Sequence, residues 1–183
     1  MSLRIIAGTW KGRRIAAPPG LDTRPLMERI KQARFEWLGQ DLEGLSVVDT
    51  CAGSGSFAFE AASRGARLVH ACEPGAQAFA TLAANHQALG SPSTVTLHRA
   101  PYQRVLPGLS GLDLGFCDPP FPWFSDEPAT IANLLTLTAA ALAPSGALFI
   151  RGEQGSSLPV VAGLREHERR SYGRSWIALL RRS

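Results

Sequence analysis

Short β-branched runs alternate with helical segments from residue 45 onward, and this alternation constrains the fold more than any other feature of the sequence. Residues 45–49 and 68–72 predict strands, and residues 57–64 and 76–89 predict the helices that follow them. Later segments continue the pattern, with strands at 94–98, 112–117 and 147–150, a helix at 129–142 and a last strand at 175–180. We expect that last strand at the sheet edge. The alternation predicts an α/β fold with a doubly wound, mostly parallel sheet, whose ligands bind at the carboxyl ends of the strands.

Composition excludes several classes of protein. The chain has 183 residues, of which 45% are apolar and 19% are charged, and this balance suits one globular core. Its apolar runs fall far short of the roughly 20 residues that span a bilayer, and no signal-peptide core follows the N-terminus. The cysteines, Cys51, Cys72 and Cys117, fit neither a disulfide framework nor a zinc site. We therefore expect a cytoplasmic protein without a membrane span or a metal.

Positive charge is concentrated at the two ends of the chain. Residues 1–40 carry eight Lys or Arg against three Asp or Glu, residues 41–150 carry four against nine, and residues 151–183 carry seven against three. All but two of the 19 cations are arginine, whose planar guanidinium group suits phosphate. A polyanionic partner is one interpretation, and a solvated surface with a compositional bias toward arginine is the other.

The first 40 residues predict a basic hairpin followed by a helix. Residues 4–8 and 12–16 form two short stretches around a turn at 9–11, with basic residues near that turn. In the predicted helix, which begins near residue 24, one apolar face recurs at helical spacing and consists of Leu26, Ile30, Ala33 and Trp37. We predict an N-terminal extension at residues 1–40 and a second domain at residues 41–183.

A glycine turn between the strand at 45–49 and the next helix is the first candidate ligand site. Its residues are Asp49, Ala52, Gly53, Ser54 and Gly55. Glycines let a ligand approach the backbone beside a helix N-terminus, but the match to the dinucleotide fingerprint is weak, because an acid and three residues separate the strand from the first glycine.

An acid at that point suits a zwitterionic ligand. Glu73 ends the next strand, where its carboxylate can accept both hydroxyls of a ribose. NAD and S-adenosylmethionine both carry such a ribose, so Glu73 alone leaves the two cofactors open.

The segment Asp118-Pro119-Pro120-Phe121 follows the predicted strand at 112–117 and carries the most specific chemistry. Two prolines remove two backbone donors, so carbonyl oxygens and the Asp118 carboxylate remain as acceptors beside an aromatic ring. Such an array can hold an exocyclic amine, with Asp118 and the Pro119 carbonyl as acceptors and Phe121 stacked on the base. We interpret Cys117, which precedes the motif, as a buried strand cysteine.

With these motifs the chain resembles the class I S-adenosylmethionine-dependent methyltransferases that act on base amines, and more closely the bacterial 16S rRNA guanine-N2 methyltransferase family. The resemblance covers almost the whole chain and includes Asp118-Pro119-Pro120-Phe121 and Tyr172-Gly173-Arg174. The string of Glu60-Ala61 with Ser63-Arg64-Gly65-Ala66 is far more specific than the glycine turn. It implies a Rossmann-like sheet of seven strands with an antiparallel hairpin element, and an N-terminal extension that contacts RNA.

The sequence departs from the family pattern at several positions. Leu26-Met27 replaces two threonines, and Gln32 stands where glutamate is common. Ala100 occupies the region where the family carries an Asp or Asn that meets the adenine amine, and Tyr102 or Gln103 is expected to substitute for it.

The resemblance implies methyl transfer from S-adenosylmethionine to guanine N2 of 16S rRNA, either free or in the small ribosomal subunit. A DNA adenine-N6 or cytosine-N4 methyltransferase is the alternative, because these enzymes share the amine-gripping motif. An NAD-dependent oxidoreductase is the weaker alternative. We assign the substrate contacts to basic residues of the N-terminal extension, namely Arg13, Arg14, Arg24, Arg29, Lys31 and Arg34.

Overall fold

The computed structural model describes residues 2–17 and 24–183, with side chains for 2–17 and 28–183. A seven-stranded sheet forms its centre and confirms the predicted fold class. In spatial order its strands are β5 (Val95–His98), β4 (Leu68–Cys72), β3 (Ser46–Asp49), β6 (Leu112–Cys117), β7 (Leu142–Glu153), β9 (Ser175–Arg182) and β8 (Leu164–Tyr172). The first five of these strands are parallel, while β9 runs antiparallel to both β7 and β8.

Helices cover both faces of the sheet. One face packs against α1 (Arg24–Leu38), α2 (Ser56–Ser63) and α3 (Ala76–Ala88), and the other packs against α4 (Tyr102–Val105) and α6 (Pro128–Ala141). Adjacent residues of a strand serve opposite faces, so that Val47 joins one apolar cluster and Val48 the other. A short helix, α5 (Pro122–Ser125), follows the double-proline segment. Within the described residues, no helix has both the length and the apolar character needed to cross a membrane.

The strand order reverses beside β3. From this strand the chain proceeds to β4 and β5 on one side, and then returns to place β6 and β7 on the other. The connections after β3 and β6 therefore leave in opposite directions and open a crevice at the carboxyl ends of these strands. Crevices of this kind are where doubly wound sheets bind their ligands.

The N-terminal hairpin is confirmed, and it packs closely on the sheet domain. Its strands β1 (Ser2–Arg4) and β2 (Arg14–Ala16) are antiparallel. The amides of Ile6 and Ala7 donate to the buried Glu60 carboxylate of α2 at 2.8 and 3.0 Å. The predicted domain boundary at residue 40 stays a prediction. These hydrogen bonds join the N-terminal hairpin directly to a helix of the predicted second domain.

The buried face of α1 differs from the predicted one. Ile30, Lys31, Arg34 and Phe35 are buried, whereas the predicted core residues Ala33 and Trp37 are only half-buried. Lys31 is accommodated because its ammonium group pairs with Glu60 at 3.0 Å and donates to the Arg4 carbonyl at 2.6 Å. Burial lowers the pKa of Lys31, and the Glu60 carboxylate opposes that change.

The prediction that the last strand lies at the sheet edge is wrong. Strand β9 lies between β7 and β8, and its residues from Ser175 to Leu180 are buried. The edge strand on this side is β8, which the strand pattern does not predict because five of its nine residues are charged and six are exposed. Charged side chains on an edge strand disfavour pairing with other chains.

Candidate active site

A cavity of about 520 Å³ opens at the carboxyl ends of β3, β4, β6 and β7. This volume lies within the range of small-molecule sites, roughly 300 to 1,000 Å³. The residues that line it are Thr50, Cys51, Gly53, Glu73, Pro74, Pro101, Tyr102, Gln103, Asp118, Pro119, Pro120, Phe121, Trp123 and Arg151.

The glycine turn forms one wall of the cavity, and Glu73 holds its backbone. One Glu73 oxygen accepts the Gly53 amide at 2.9 Å, and the other accepts the Gly75 amide at 2.7 Å. Gly53 has a φ of +55°, and a Cβ added there would meet no atom within 4 Å, so the space beside it is open. At Gly55, where φ is +86°, a Cβ would overlap Phe59 and Leu82. Glycine at 55 thus permits close packing, whereas glycine at 53 leaves the cavity wall bare.

Two of the predicted cofactor residues, Gly53 and Glu73, line the cavity. Asp49, Ala52, Ser54, Gly55 and Ala100 do not belong to its lining. Both Asp49 carboxylate oxygens are enclosed by protein, and a contact between Asp49 and the ligand stays a prediction. Tyr102 and Gln103, the expected substitutes for the adenine contact, both line the cavity. The Tyr102 hydroxyl donates to the Thr130 carbonyl at 3.1 Å.

The predicted amine-gripping residues, Asp118, Pro119 and Phe121, also line this cavity. Asp118 follows the last residue of β6, and the Pro120 carbonyl accepts the Trp123 amide at 3.1 Å as α5 begins. Cys117 is buried in the strand, and burial raises the pKa of its thiol to about 12. A thiol of this kind is no nucleophile near neutral pH, which supports its interpretation as a core cysteine.

The Asp118 carboxylate lies between two guanidinium groups. Arg151 Nε donates to Asp118 Oδ1 at 2.5 Å, and Arg34 Nη2 lies 3.9 Å from the same oxygen. The Arg151 guanidinium also lies 4.8 Å from the centre of the Phe121 ring. Arg151 therefore contacts two of the three residues that the sequence assigns to the target amine.

A second layer of charge lies beneath the cavity. Arg34 is fully buried with its guanidinium 4.4 Å from the centre of the Phe57 ring, and burial lowers its pKa to about 10. Burial, together with the nearby Asp118 charge, raises the pKa of Asp49 to about 7. Among the described residues, neither the Arg34 nitrogens nor the Asp49 oxygens have a hydrogen-bond partner.

The predicted RNA contacts divide into exposed and buried residues. Arg13, Arg14 and Arg29 are exposed, and Arg13 donates to the Ala88 carbonyl at 2.5 Å. Lys31 and Arg34 are buried and face carboxylates of the protein, which disfavours contact with phosphate, and their assignment stays a prediction. The Arg24 side chain lies outside the described part of the chain.

Sequence reasoning missed Arg151 as a cavity residue. A signal for Arg151 was present, since it directly follows the predicted strand at 147–150 and the carboxyl ends of neighbouring parallel strands meet at one edge. Within the described residues, no cluster of three or more histidines, cysteines or acids is arranged to hold a metal ion.

Comparisons with known proteins agree with this geometry. The family described as conserved hypothetical protein 95 matches residues 3–181. The ribosomal RNA small subunit methyltransferase D of Haemophilus influenzae is 32% identical over 69% of this chain and 68% of its own length. YlbH of Bacillus subtilis, named as a candidate rRNA methyltransferase, is 27% identical over 98% of this chain and 99% of its own.

A solved structure shares the whole fold. The candidate methyltransferase yhhF of Escherichia coli superposes with a TM-score of 0.83, covers 100% of this chain and 99% of its own, and is 24% identical. At this identity the superposition establishes the shared architecture.

Proposed function

The chain belongs to the conserved hypothetical protein 95 family, and on this premise we propose that it transfers a methyl group from S-adenosylmethionine to an exocyclic base amine of ribosomal RNA. Guanine N2 of 16S rRNA is the target that the resemblance favours. The observation that carries the proposal is the placement of Asp118, Pro119 and Phe121 on the same cavity as Gly53 and Glu73. The part of the cavity wall formed by Gly53 and Glu73 then suits a nucleoside cofactor, and the part formed by the double-proline segment suits a base.

The residues of the first of these parts fit S-adenosylmethionine. Glu73 uses each oxygen for one backbone amide, and each oxygen keeps a lone pair for a ribose hydroxyl. The bare backbone at Gly53 leaves room for the ligand, and Pro101 and Tyr102 offer apolar surface for an adenine. When bound, this cofactor supplies a methyl group that its positively charged sulfur already activates.

The double-proline segment holds the base amine that receives the methyl group. The Asp118 carboxylate and the Pro119 carbonyl accept the two N–H groups of the amine, which turns the nitrogen lone pair toward the cofactor. Phe121 stacks on the base and keeps it in this orientation. Because the methyl group is already activated, orientation and fixed acceptor dipoles are what the protein must provide.

Ribosomal RNA is the favoured polymer because similar relatives, among them those of Bacillus subtilis and Haemophilus influenzae, are named for it. Exposed arginines on the hairpin and α1 suit a phosphate backbone. A chain of this size has few elements with which to read a sequence, so it depends on a base that the folded RNA presents unstacked.

The proposal is tested by methyl transfer from labelled S-adenosylmethionine to hypomethylated small subunits, free 16S rRNA and double-stranded DNA in parallel. We expect label in rRNA guanine. An Asp118→Ala variant should bind the cofactor with unchanged affinity, because Asp118 is assigned to the amine, while its transfer rate falls by about 100-fold or more.

The control is Asp41→Ala, which removes an exposed acid that precedes β3 and so lies away from the carboxyl ends of the strands. Thermal melting of each variant separates loss of fold from loss of chemistry. Label in DNA adenine or cytosine and none in rRNA would assign the enzyme to the alternative substrate. Full turnover by the Asp118 variant would remove the carboxylate from the mechanism.

A further inference from the structure

Arg151 is the cavity residue whose contacts the proposed chemistry does not yet explain. It lies in β7, and its side chain is 16% exposed while that of Asp118 is 11% exposed. Ion pairs in such partly enclosed positions are less screened by solvent than surface pairs. A charged residue on a cavity wall must also be desolvated when ligands fill the cavity, so its presence there needs a reason.

The two guanidinium groups meet Asp118 at only one of its oxygens. Arg151 donates to Oδ1, and Arg34 also lies nearest to Oδ1. No hydrogen bond within the described residues ends on Oδ2. The carboxylate is thus fixed by one oxygen, and the other retains its full capacity to accept an N–H group.

The same guanidinium contacts the stacking residue. Its central carbon lies 4.8 Å from the Phe121 ring centre, within the distance of about 6 Å at which a cation interacts with an aromatic face. One rigid planar group therefore holds both the acceptor carboxylate and the aromatic ring that receives the base. A lysine could supply the charge but lacks this planar shape.

We propose that Arg151 is a positioning residue for methyl transfer, which holds Asp118 by Oδ1 and Phe121 by its ring so that Oδ2 accepts the target amine. This inference rests on the proposed function. Arg151 acts by orienting these two groups.

The test compares Arg151→Met, Arg151→Lys and the unaltered protein in the same transfer assay, over a range of S-adenosylmethionine concentration. Arg151→Met should lower kcat by about 10-fold to 100-fold, the scale of a misoriented reacting group. Its KM for S-adenosylmethionine should stay unchanged, because Arg151 contacts the residues assigned to the amine. Arg151→Lys should recover only part of kcat, because a lysine lacks the planar guanidinium group.

Arg169→Met is the matched control. Arg169 also pairs with a carboxylate, that of Glu166 at 2.6 Å, and lies 4.3 Å from an aromatic ring centre, that of Trp176, but it belongs to the edge strand. We expect its kcat and its KM for S-adenosylmethionine to match those of the unaltered protein. If Arg151→Met behaves like this control, the inference is overturned while the proposed function stands. If the unaltered protein transfers no methyl group to any base amine, both fail.

Discussion

Asp49 lies beneath the candidate site, where burial disfavours the charged form of its carboxyl group. Its carboxylate is buried without a hydrogen-bond partner among the described residues, and burial together with Asp118 raises its pKa from 3.8 to about 7. The Arg34 guanidinium opposes this change. Near neutral pH, Asp49 is therefore divided between its charged and neutral forms.

This raised pKa predicts a pH-dependent stability. The folded protein binds the Asp49 proton more tightly than the unfolded chain, so the contribution of Asp49 is fully present below pH about 3.8 and is lost as pH rises through about 7. In the Asp49→Asn variant, the side chain binds and releases no proton, so this contribution to stability does not vary with pH. Relative to the unaltered protein, its free energy of unfolding should improve between pH 4 and 8, by up to roughly 4 kcal/mol.

Urea denaturation at a series of pH values measures the effect. Asp41→Asn, which alters an exposed acid, is the control and should show no comparable trend relative to the unaltered protein. A constant difference between the Asp49→Asn and unaltered proteins across this range would show that Asp49 titrates normally.

At the scale of elements, the attachment of the hairpin to α2 depends on close backbone approach. Gly8 has a φ of +80°, and a Cβ there would overlap the Ser63 carbonyl, which accepts the Thr9 amide at 2.7 Å. Gly12, in the same hairpin, has a φ of +84°, and a Cβ there would meet nothing within 4 Å. The two glycines therefore share a backbone conformation but differ in packing.

Substituting these two glycines should lower the free energy of unfolding by different amounts. Gly12→Ala should destabilise the protein by about 1 kcal/mol, the cost of a side chain at positive φ. Gly8→Ala bears the same cost and must also move the hairpin off α2, so it should destabilise by about 2 kcal/mol or more. Urea denaturation gives both values, and hydrogen exchange of the residue 5–9 amides reports detachment. Equal costs for the two variants would contradict the close approach.

The sequence predicts well those elements whose local residue pattern matches the surroundings that they have in the folded protein. The glycine turn, the strand at 112–117 and the double-proline segment lie where the pattern places them, because strand ends in a parallel sheet converge on one edge. Strand β8 forms a local hairpin with β9 across the turn at 173–174, but it escapes prediction because its mostly exposed residues show no apolar alternation.

The buried charges of α1 escape prediction for a different reason. Helical spacing identifies which residues share a face, but the burial of Lys31 depends on Glu60, which lies 29 positions along the chain in another helix. Arg34 likewise becomes a neighbour of Asp118 only when α1 packs beside β6. A local pattern cannot show that a cation has a buried partner, and without that partner an exposed position is the better expectation.

At the scale of the whole molecule, the distribution of charge relates the site to its polymer. The N-terminal 40 residues carry a net charge of +5, from eight cations and three acids. Two of these cations, Lys31 and Arg34, are buried in the folded protein. Arg14 on β2 and Arg29 on α1 remain exposed and available to phosphate. The electrostatic contribution to RNA binding should therefore come from fewer residues than the sequence suggests.

This difference predicts the salt dependence of binding. Each phosphate that a side chain no longer neutralises should flatten the slope of log affinity against log salt by roughly 0.7 to 0.9. The double variant Arg14→Gln with Arg29→Gln should thus flatten the slope by roughly 1.4 to 1.8, as measured by fluorescence anisotropy with 16S rRNA. Its affinity for S-adenosylmethionine should be unchanged, because neither residue lines the cavity.

The control is Arg165→Gln, which alters an exposed arginine of the edge strand β8 and should leave the slope unchanged. An unchanged slope in the double variant would place the RNA on another face of the molecule, and the same flattening in the control would show that binding follows net charge rather than these two arginines.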